Sequence, residues 1–239
     1  MELAKVWKEP LTISQNDISA CCEVRRKMAN GEQWQGKADR DLLNAVGVDS
    51  LTSGLDETMR KGAVLKDGSK SFVSHAELGG REVVIKGYRH LGWFHSLRHT
   101  FKGSRAHTAW LTANRLLCLG VSTPKPLAYI DVYKDYLLWC SYFIYDYASG
   151  PELYGVLKDP TEPESRKQLL IRKVLNAIKR LSEHGISHGD LKHSNMICEG
   201  DQIVFIDLDA MRPIIGPAII RRWRYEKDRS RFLRDIVGQ

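Results

Sequence analysis

Three oxygen-bearing side chains fall at suggestive intervals in the last third of the chain. Asp190 lies in the run His188-Gly189-Asp190-Leu191-Lys192-His193-Ser194-Asn195. Asn195 closes that run, and Asp207 ends the apolar stretch Ile203-Val204-Phe205-Ile206-Asp207-Leu208-Asp209. The chemistry this order suits is phosphoryl transfer. Such a reaction needs little covalent help from a protein; it needs a hydroxyl aimed at the γ-phosphorus and cations that spread its charge. Mg²⁺ is hard, prefers oxygen ligands and is usually held by one or two protein groups plus phosphate. Asn195 and Asp207 supply such oxygens, Asp190 could orient the acceptor hydroxyl or take its proton, and Lys192 could approach the transferring phosphate. Each short motif alone is common in loops and at strand ends; the ordered set is what carries the reading. His188 reads as a packed residue that shapes the loop; Asp209 could touch metal or cap the following turn.

These residues must be positioned by the elements around them. Pro163 to His184 has the apolar spacing of a long helix, with Gly185 as its stop. The polar loop follows, and the 12 residues from Asn195 to Asp207 suffice for a hairpin that returns both groups to one place. Upstream, Ala63 to Lys66, Ser71 to Leu78 and Glu82 to Lys86 read as strands, with Gly79-Gly80 as a tight hairpin turn. The turn between the first two lacks a G-x-G-x-x-G pattern, yet the amides of Gly68, Ser69, Lys70 and Ser71 could cradle phosphate. Val83-Val84-Ile85-Lys86 matches the strand whose lysine holds the α- and β-phosphates of a nucleotide. Gly103 to Leu119 reads as a helix, Leu127 to Val132 and Tyr136 to Tyr147 as strands, and Arg221 to about Ile236 as a basic final helix. That last helix could lie at a membrane surface through Trp223 and Tyr225, or pack Trp223 and Phe232 inward.

The 239 residues suffice for one good core or two small lobes. The hydrophobic fraction of 43% and charged fraction of 27% are those of a soluble globular protein. Five cysteines form no C-x-x-C pair, which argues for reduced thiols and against a zinc or disulfide framework. Neither a signal peptide nor an apolar run of membrane-spanning length is expected. The net charge of +7 is unevenly placed. No Asp or Glu occurs from Lys86 to Ile130, and Arg212 to Arg234 holds eight basic residues against two acidic ones. Such patches suit an acidic partner. No recognised nucleic-acid motif accompanies them, so a nucleic-acid partner is not expected.

Residues 1–60 are the least readable. A helix is expected from Ser14 to Met28 and another from Asp39 to Val46, ended by Gly47. The expected domains are an N-terminal extension over 1–60 and a kinase-like domain over 61–239, its N-lobe about 61–147 and its C-lobe about 150–239.

The motifs together resemble the lipopolysaccharide kinase family, over about residues 60–236. The resemblance rests on Lys86 in VVIKGY, on SRAHTAWLTANRLLCLGVSTPKPLAYI, on HGDLKHSN, IVFIDLD and the closing KDRSRFLRDI. It implies a two-lobed, protein-kinase-like α+β fold: a small antiparallel N-lobe sheet and a helical C-lobe, truncated after the metal-binding strand. It further implies ATP and Mg²⁺. The acceptor it implies is a heptose or Kdo sugar of the lipopolysaccharide inner core, an acidic, membrane-embedded glycolipid. The implied location is the cytoplasm, peripheral on the cytoplasmic face of the bacterial inner membrane. Carried over by position, Lys86 binds the ATP phosphates, Asp190 is the catalytic aspartate, and Asn195 and Asp207 hold metal. One departure stands out. Kinases pair the strand lysine with a Glu on the next helix, and no acid is available there; Asn114 is the polar residue nearest the middle of that helix.

Two other readings compete. One is a kinase-like binding module, weak or inactive in catalysis, that recognises lipopolysaccharide or a partner; the missing Glu favours it and the intact Asp190, Asn195 and Asp207 oppose it. The other is a minimal atypical protein kinase. The 32 residues after Asp207 leave little room for an activation loop and the helical platform that holds protein substrates.

Overall fold

The computed structural model describes residues 21–89 and 103–237, with only the backbone described for 235–237. The described chain folds into two compact units, one of residues 21–89, 103–114 and 125–147, the other of residues 115–124 and 148–237.

The first unit is built on a seven-stranded antiparallel sheet in the order β1-β2-β6-β7-β5-β4-β3. The strands are β1 (Cys21–Lys27), β2 (Gln33–Asp39), β3 (Ala63–Asp67), β4 (Ser71–Leu78), β5 (Arg81–Tyr88), β6 (Pro126–Lys134) and β7 (Leu137–Asp146). Helices α1 (Arg40–Ser50) and α2 (Leu55–Lys61) follow β2, and α3 (Arg105–Cys118) precedes β6. One core joins Leu42, Leu51, Leu55 and Met59 of the α1–α2 region to Val83, Ile85, Ile130, Tyr142 and Ile144 of the sheet. The opposite sheet face meets α3, where Trp110 and His107 lie against Tyr129. Covered on both sides, β5 is buried from Val83 to Tyr88 and shows no simple alternation.

Several expected elements are present. The glycines of the β4–β5 turn, Gly79 and Gly80, have φ of 60° and 78°, the mirror-image turn that suits the twist of a hairpin. Asp39 caps α1 by accepting from the amides of Asp41 and Leu42. The expected stop at Gly47 is a break inside α1, where φ is 72° and ψ 167°.

One expectation is corrected. Of the helix read over Ser14 to Met28, residues 14–20 lie outside the described residues, and Cys21–Lys27 is strand β1. It pairs along its whole length with β2, which pairs in turn with β6. The physical reason is the turn between them. Asn30-Gly31 carries a positive-φ glycine, and Met28 N–H donates to Glu32 O at 2.8 Å. As an edge strand, β1 buries only Val24 fully, so its charged residues hide the period of two.

The second unit is mainly helical. It holds α4 (Leu153–Lys158), the long α5 (Glu164–Glu183) and α6 (Ala218–Val237). Short strands β8 (Ile186–Ser187), β9 (Met196–Glu199), β10 (Gln202–Phe205) and β11 (Arg212–Pro213) form two antiparallel pairs, β9–β10 and β8–β11. Leu170, Val174, Ile178 and Leu181 are the buried stripe of α5. Gly185, with φ of 68°, ends it as expected. Among the described residues no helix is long and apolar enough to cross a membrane.

Candidate active site

The polar loop runs from β8 to β9 and is closed by β11 returning beside β8. Gly189 is required at its bend. Its φ is 79°, and a Cβ there would fall 2.5 Å from Ala210 O. The loop ends in a 3₁₀ turn, His193–Asn195, that leads into β9.

The hairpin then brings the predicted groups together. Met196 pairs with Phe205, and Ile206 N–H donates to Asn195 O at 2.9 Å. Asn195 and Asp207 therefore lie at the same end of the β9–β10 ladder. Asn195 gives its amide nitrogen to Asp190 O at 3.0 Å, which ties the third group to the other two. Asp207 has the left-handed backbone conformation, φ 56° and ψ 64°, rare for a residue with a side chain.

Two cations flank the Asp190 carboxylate. Lys192 Nζ is 3.3 Å from Oδ2, and Arg231 Nη1 is 3.4 Å from Oδ1. Arg231 comes from α6 and also donates to Gly189 O at 2.6 Å. The same helix supplies Asp228, which is buried. Its Oδ2 accepts from Ser187 Oγ at 2.8 Å and from His188 N–H at 2.9 Å; its Oδ1 accepts from Gly189 N–H at 3.1 Å. One carboxylate thus satisfies three donors of the loop.

His188 behaves as a packed residue. It is 1% exposed and tilts against Phe205 with ring centroids 5.8 Å apart. Burial pushes its pKa down to about 4, against the opposing fields of Asp228, Asp190 and Asp207. His193 is likewise buried, with Nε2 3.0 Å from Phe232 O.

The run after α3 also acquires a role. Ser122 O accepts Phe205 N–H at 2.9 Å, and Thr123 Oγ1 donates to Phe205 O at 2.8 Å. These bonds hold the strand two residues before Asp207. Sequence reasoning missed the roles of Asp228, Arg231 and Thr123. The available signal was the spacing of Asp228 and Phe232, four apart and therefore on one helix face.

In the first unit, Lys86 is buried on β5, its Nζ 5.5 Å from the centre of the Tyr88 ring. Asn114, expected to stand in for the missing Glu, gives its amide nitrogen to Trp110 O on its own helix at 2.8 Å, so its carbonyl oxygen is the atom left to accept from an ammonium. In the β3–β4 turn, Gly68 N–H closes the hairpin on Ser71 O at 3.0 Å, and Lys70 O accepts from Arg89 N–H at 3.2 Å. Ser71 is buried. Of the basic stretch after Lys86, His90, His95, Arg98, His99 and Lys102 lie outside the described residues.

The chemistry of the donor set fits a divalent cation. With its nitrogen committed to Asp190 O, Asn195 has its carbonyl oxygen as the atom that could meet a cation; Asp207 adds a carboxylate at the same hairpin end. Both are hard oxygen donors of the kind Mg²⁺ takes. No group of three or more His, Cys, Asp or Glu able to hold a metal occurs among the described residues. An ion here would complete its shell with phosphate and water.

An antiparallel sheet unit, a helical unit and this Asp–Asn–Asp arrangement define a protein-kinase-like α+β fold. Residues 68–236 match the Lipopolysaccharide kinase (Kdo/WaaP) family, and the chain belongs to that family. It is also similar to a probable myosin light chain kinase from Dictyostelium discoideum, 31% identical over 69 residues. That match spans 28% of this chain and 17% of the relative, so the chain covers less than a fifth of that protein's length.

Proposed function

We propose that the chain transfers the γ-phosphoryl group of ATP to a sugar hydroxyl, heptose or Kdo, of the lipopolysaccharide inner core. The observation that carries this reading is the linkage of Asp190, Asn195 and Asp207 through the Asn195–Asp190 and Ile206–Asn195 hydrogen bonds. Family membership supports the reaction class and the acceptor.

In this reading Asp190 orients the acceptor hydroxyl and accepts its proton as the oxygen–phosphorus bond forms. Lys192 and Arg231 hold the carboxylate in place. Lys192, more than half exposed, also has room to swing toward the transferring phosphate. Asn195 and Asp207 hold Mg²⁺. Lys86 and the turn amides of Gly68, Ser69, Lys70 and Ser71 are assigned to the nucleotide phosphates; with Gly68 N–H engaged in the hairpin, the assignment leans on Ser69 and Lys70. Mg²⁺-ATP, once bound, supplies the phosphoryl group and the charge that steadies it. The chain would act at the cytoplasmic face of the inner membrane, peripherally. Its domains in this reading are a kinase-like domain over 61–239, with an N-lobe of about 61–147 and a C-lobe of about 150–239, and a preceding part over 1–60 whose β1 and β2 extend the sheet.

The kinase-like binding module is the second reading, and the lack of any Asp or Glu on α3 to pair with Lys86 favours it. The test is radiolabelled phosphate transfer from Mg²⁺-ATP to dephosphorylated core lipopolysaccharide, wild type against Asp190→Ala. Transfer lost in a folded variant supports the kinase. Absence of both transfer and Mg²⁺-ATP binding by calorimetry overturns it in favour of the module. Nucleotide binding without transfer to any core sugar overturns the acceptor and makes a protein hydroxyl the next candidate.

A further inference from the structure

The chain between β11 and the second turn of α6 presents an apolar surface to solvent. Ile215 is 62% exposed, Ile219 73%, Ile220 37% and Trp223 55%. Pro217 and Ala218 between them are exposed as well. On α6, residues 219, 220 and 223 fall within about a third of the helix circumference. The opposite face is the one that buries Asp228 and Phe232. Large aliphatic side chains gain nothing from water, and four large apolar groups between Ile215 and Trp223 make more than scattered surface exposure.

The charges around them have one sign. Arg212, Arg221, Arg222 and Arg224 accompany the patch, and residues 211–225 contain no Asp or Glu. Arg224 and Lys227 lie against the indole of Trp223, at 4.9 and 5.1 Å from its ring centre. The nearest acid in sequence, Glu226, is paired with Arg229 at 3.4 Å. An exposed aliphatic–indole face rimmed by arginine and lysine matches the boundary of an anionic bilayer, where acyl chains take the apolar groups and headgroup phosphates meet the cations.

We propose that residues 212–227 form a docking surface for an anionic lipid bilayer, with the start of α6 lying in the plane of the headgroups. The surface stands on exposure and charge alone; its use in presenting a glycolipid rests on the function proposed above. The same helix holds the polar loop. Asp228 follows Trp223 by about 8 Å along the axis and Arg231 by about 12 Å. A bilayer that fixes the start of α6 therefore fixes where the Asp190 loop stands relative to the headgroups.

The test uses the full chain with vesicles of phosphatidylglycerol and phosphatidylethanolamine, and with phosphatidylcholine alone, read by co-sedimentation and by Trp fluorescence. Ile219→Ser/Trp223→Ser should lower partitioning at least about tenfold by loss of buried apolar area. Arg222→Ser and Lys227→Ser should each lower it about fivefold on anionic vesicles and leave phosphatidylcholine unaffected. All four side chains are exposed, so melting temperatures should not move. Unchanged partitioning in the Ile219/Trp223 variant overturns the proposal. So does equal binding to a DNA duplex that depends on the arginines but not on Ile219 and Trp223. Transfer to a deacylated, soluble core sugar separates the two readings. Vesicle binding without such transfer sinks the kinase and keeps the surface, whereas transfer without vesicle binding does the reverse.

Discussion

The buried carboxylate of Asp228 is hydrogen-bonded to the backbone of His188, Oδ2 to N–H at 2.9 Å, across 40 residues of sequence. With Ser187 Oγ and Gly189 N–H on the same group, removal of Asp228 leaves three donors without their acceptor. Asp228→Ala is expected to cost about 3–5 kcal/mol in chemical denaturation, as when a buried, hydrogen-bonded charge is deleted. Asp228→Asn keeps the shape but turns an N–H toward an N–H. It is expected to lower phosphate transfer at least about tenfold while the chain remains folded.

Arg231 acts on the same loop from one turn further along. It joins Gly189 O at 2.6 Å to the Asp190 carboxylate at 3.4 Å. Arg231→Gln is expected to reduce kcat by about tenfold to hundredfold with KM for ATP little changed. Because the guanidinium is partly exposed, the loss of stability should stay within about 1 kcal/mol. Arg231→Lys should recover only part of the rate, since an ammonium cannot reproduce the planar fork.

Asp207 and Asn195 are expected to separate from Asp190 in a titration with Mg²⁺. Asp207→Asn should abolish Mg²⁺-dependent ATP binding in calorimetry, and Asn195→Ala should raise the Mg²⁺ needed for half-maximal transfer. Asp190→Asn should retain nucleotide binding and lose transfer. Thr123→Val removes the hydroxyl that holds Phe205 O and is expected to cost about 1 kcal/mol in stability.

Two buried groups set opposite slopes on stability against pH. Burial raises the pKa of Asp131 to about 7, partly offset by its hydrogen bond from Ser104. Its unfolded state loses the proton first, so stability falls as pH rises from about 4 to about 7. His188, lowered to about 4 by burial, does the reverse: its unfolded state takes up a proton first, so stability falls as pH drops from about 6.5 to about 4. Asp131→Asn should flatten the first slope and His188→Phe the second, each measurable by urea unfolding across that range. If His188 only packs, His188→Phe should also keep most of the transfer activity.

Much of the site was legible because its parts are close in sequence. Asp190, Asn195 and Asp207 lie within one loop and one hairpin, whose register brings Asn195 and Asp207 together. Helix α5 and the hairpin β4–β5 were equally readable, since periodicity and the glycines at 79, 80 and 185 mark them locally. The edge pair β1–β2 was less so, because Val24 is the one fully buried residue of β1 and gives no alternation to follow. Trp223 illustrates a different limit. Its place in a basic helix left two orientations open, and it proves exposed while Phe232 is buried.

The sequence by itself determined which residues could do the chemistry, their order, and the local elements on which they sit. Side-chain type and short-range spacing are enough for that, because a loop between a helix and a hairpin needs few distant partners to be recognised. Only the tertiary structure decided that Asp228 and Arg231 hold the loop, that Ser122 and Thr123 hold the strand before Asp207, and which face of α6 meets solvent. Periodicity reports that a helix has a buried face; it does not report what that face is buried against. That depends on partners far apart in sequence, such as Asp228 with His188, 40 residues away, and Thr123 with Phe205, 82 away, which packing selects.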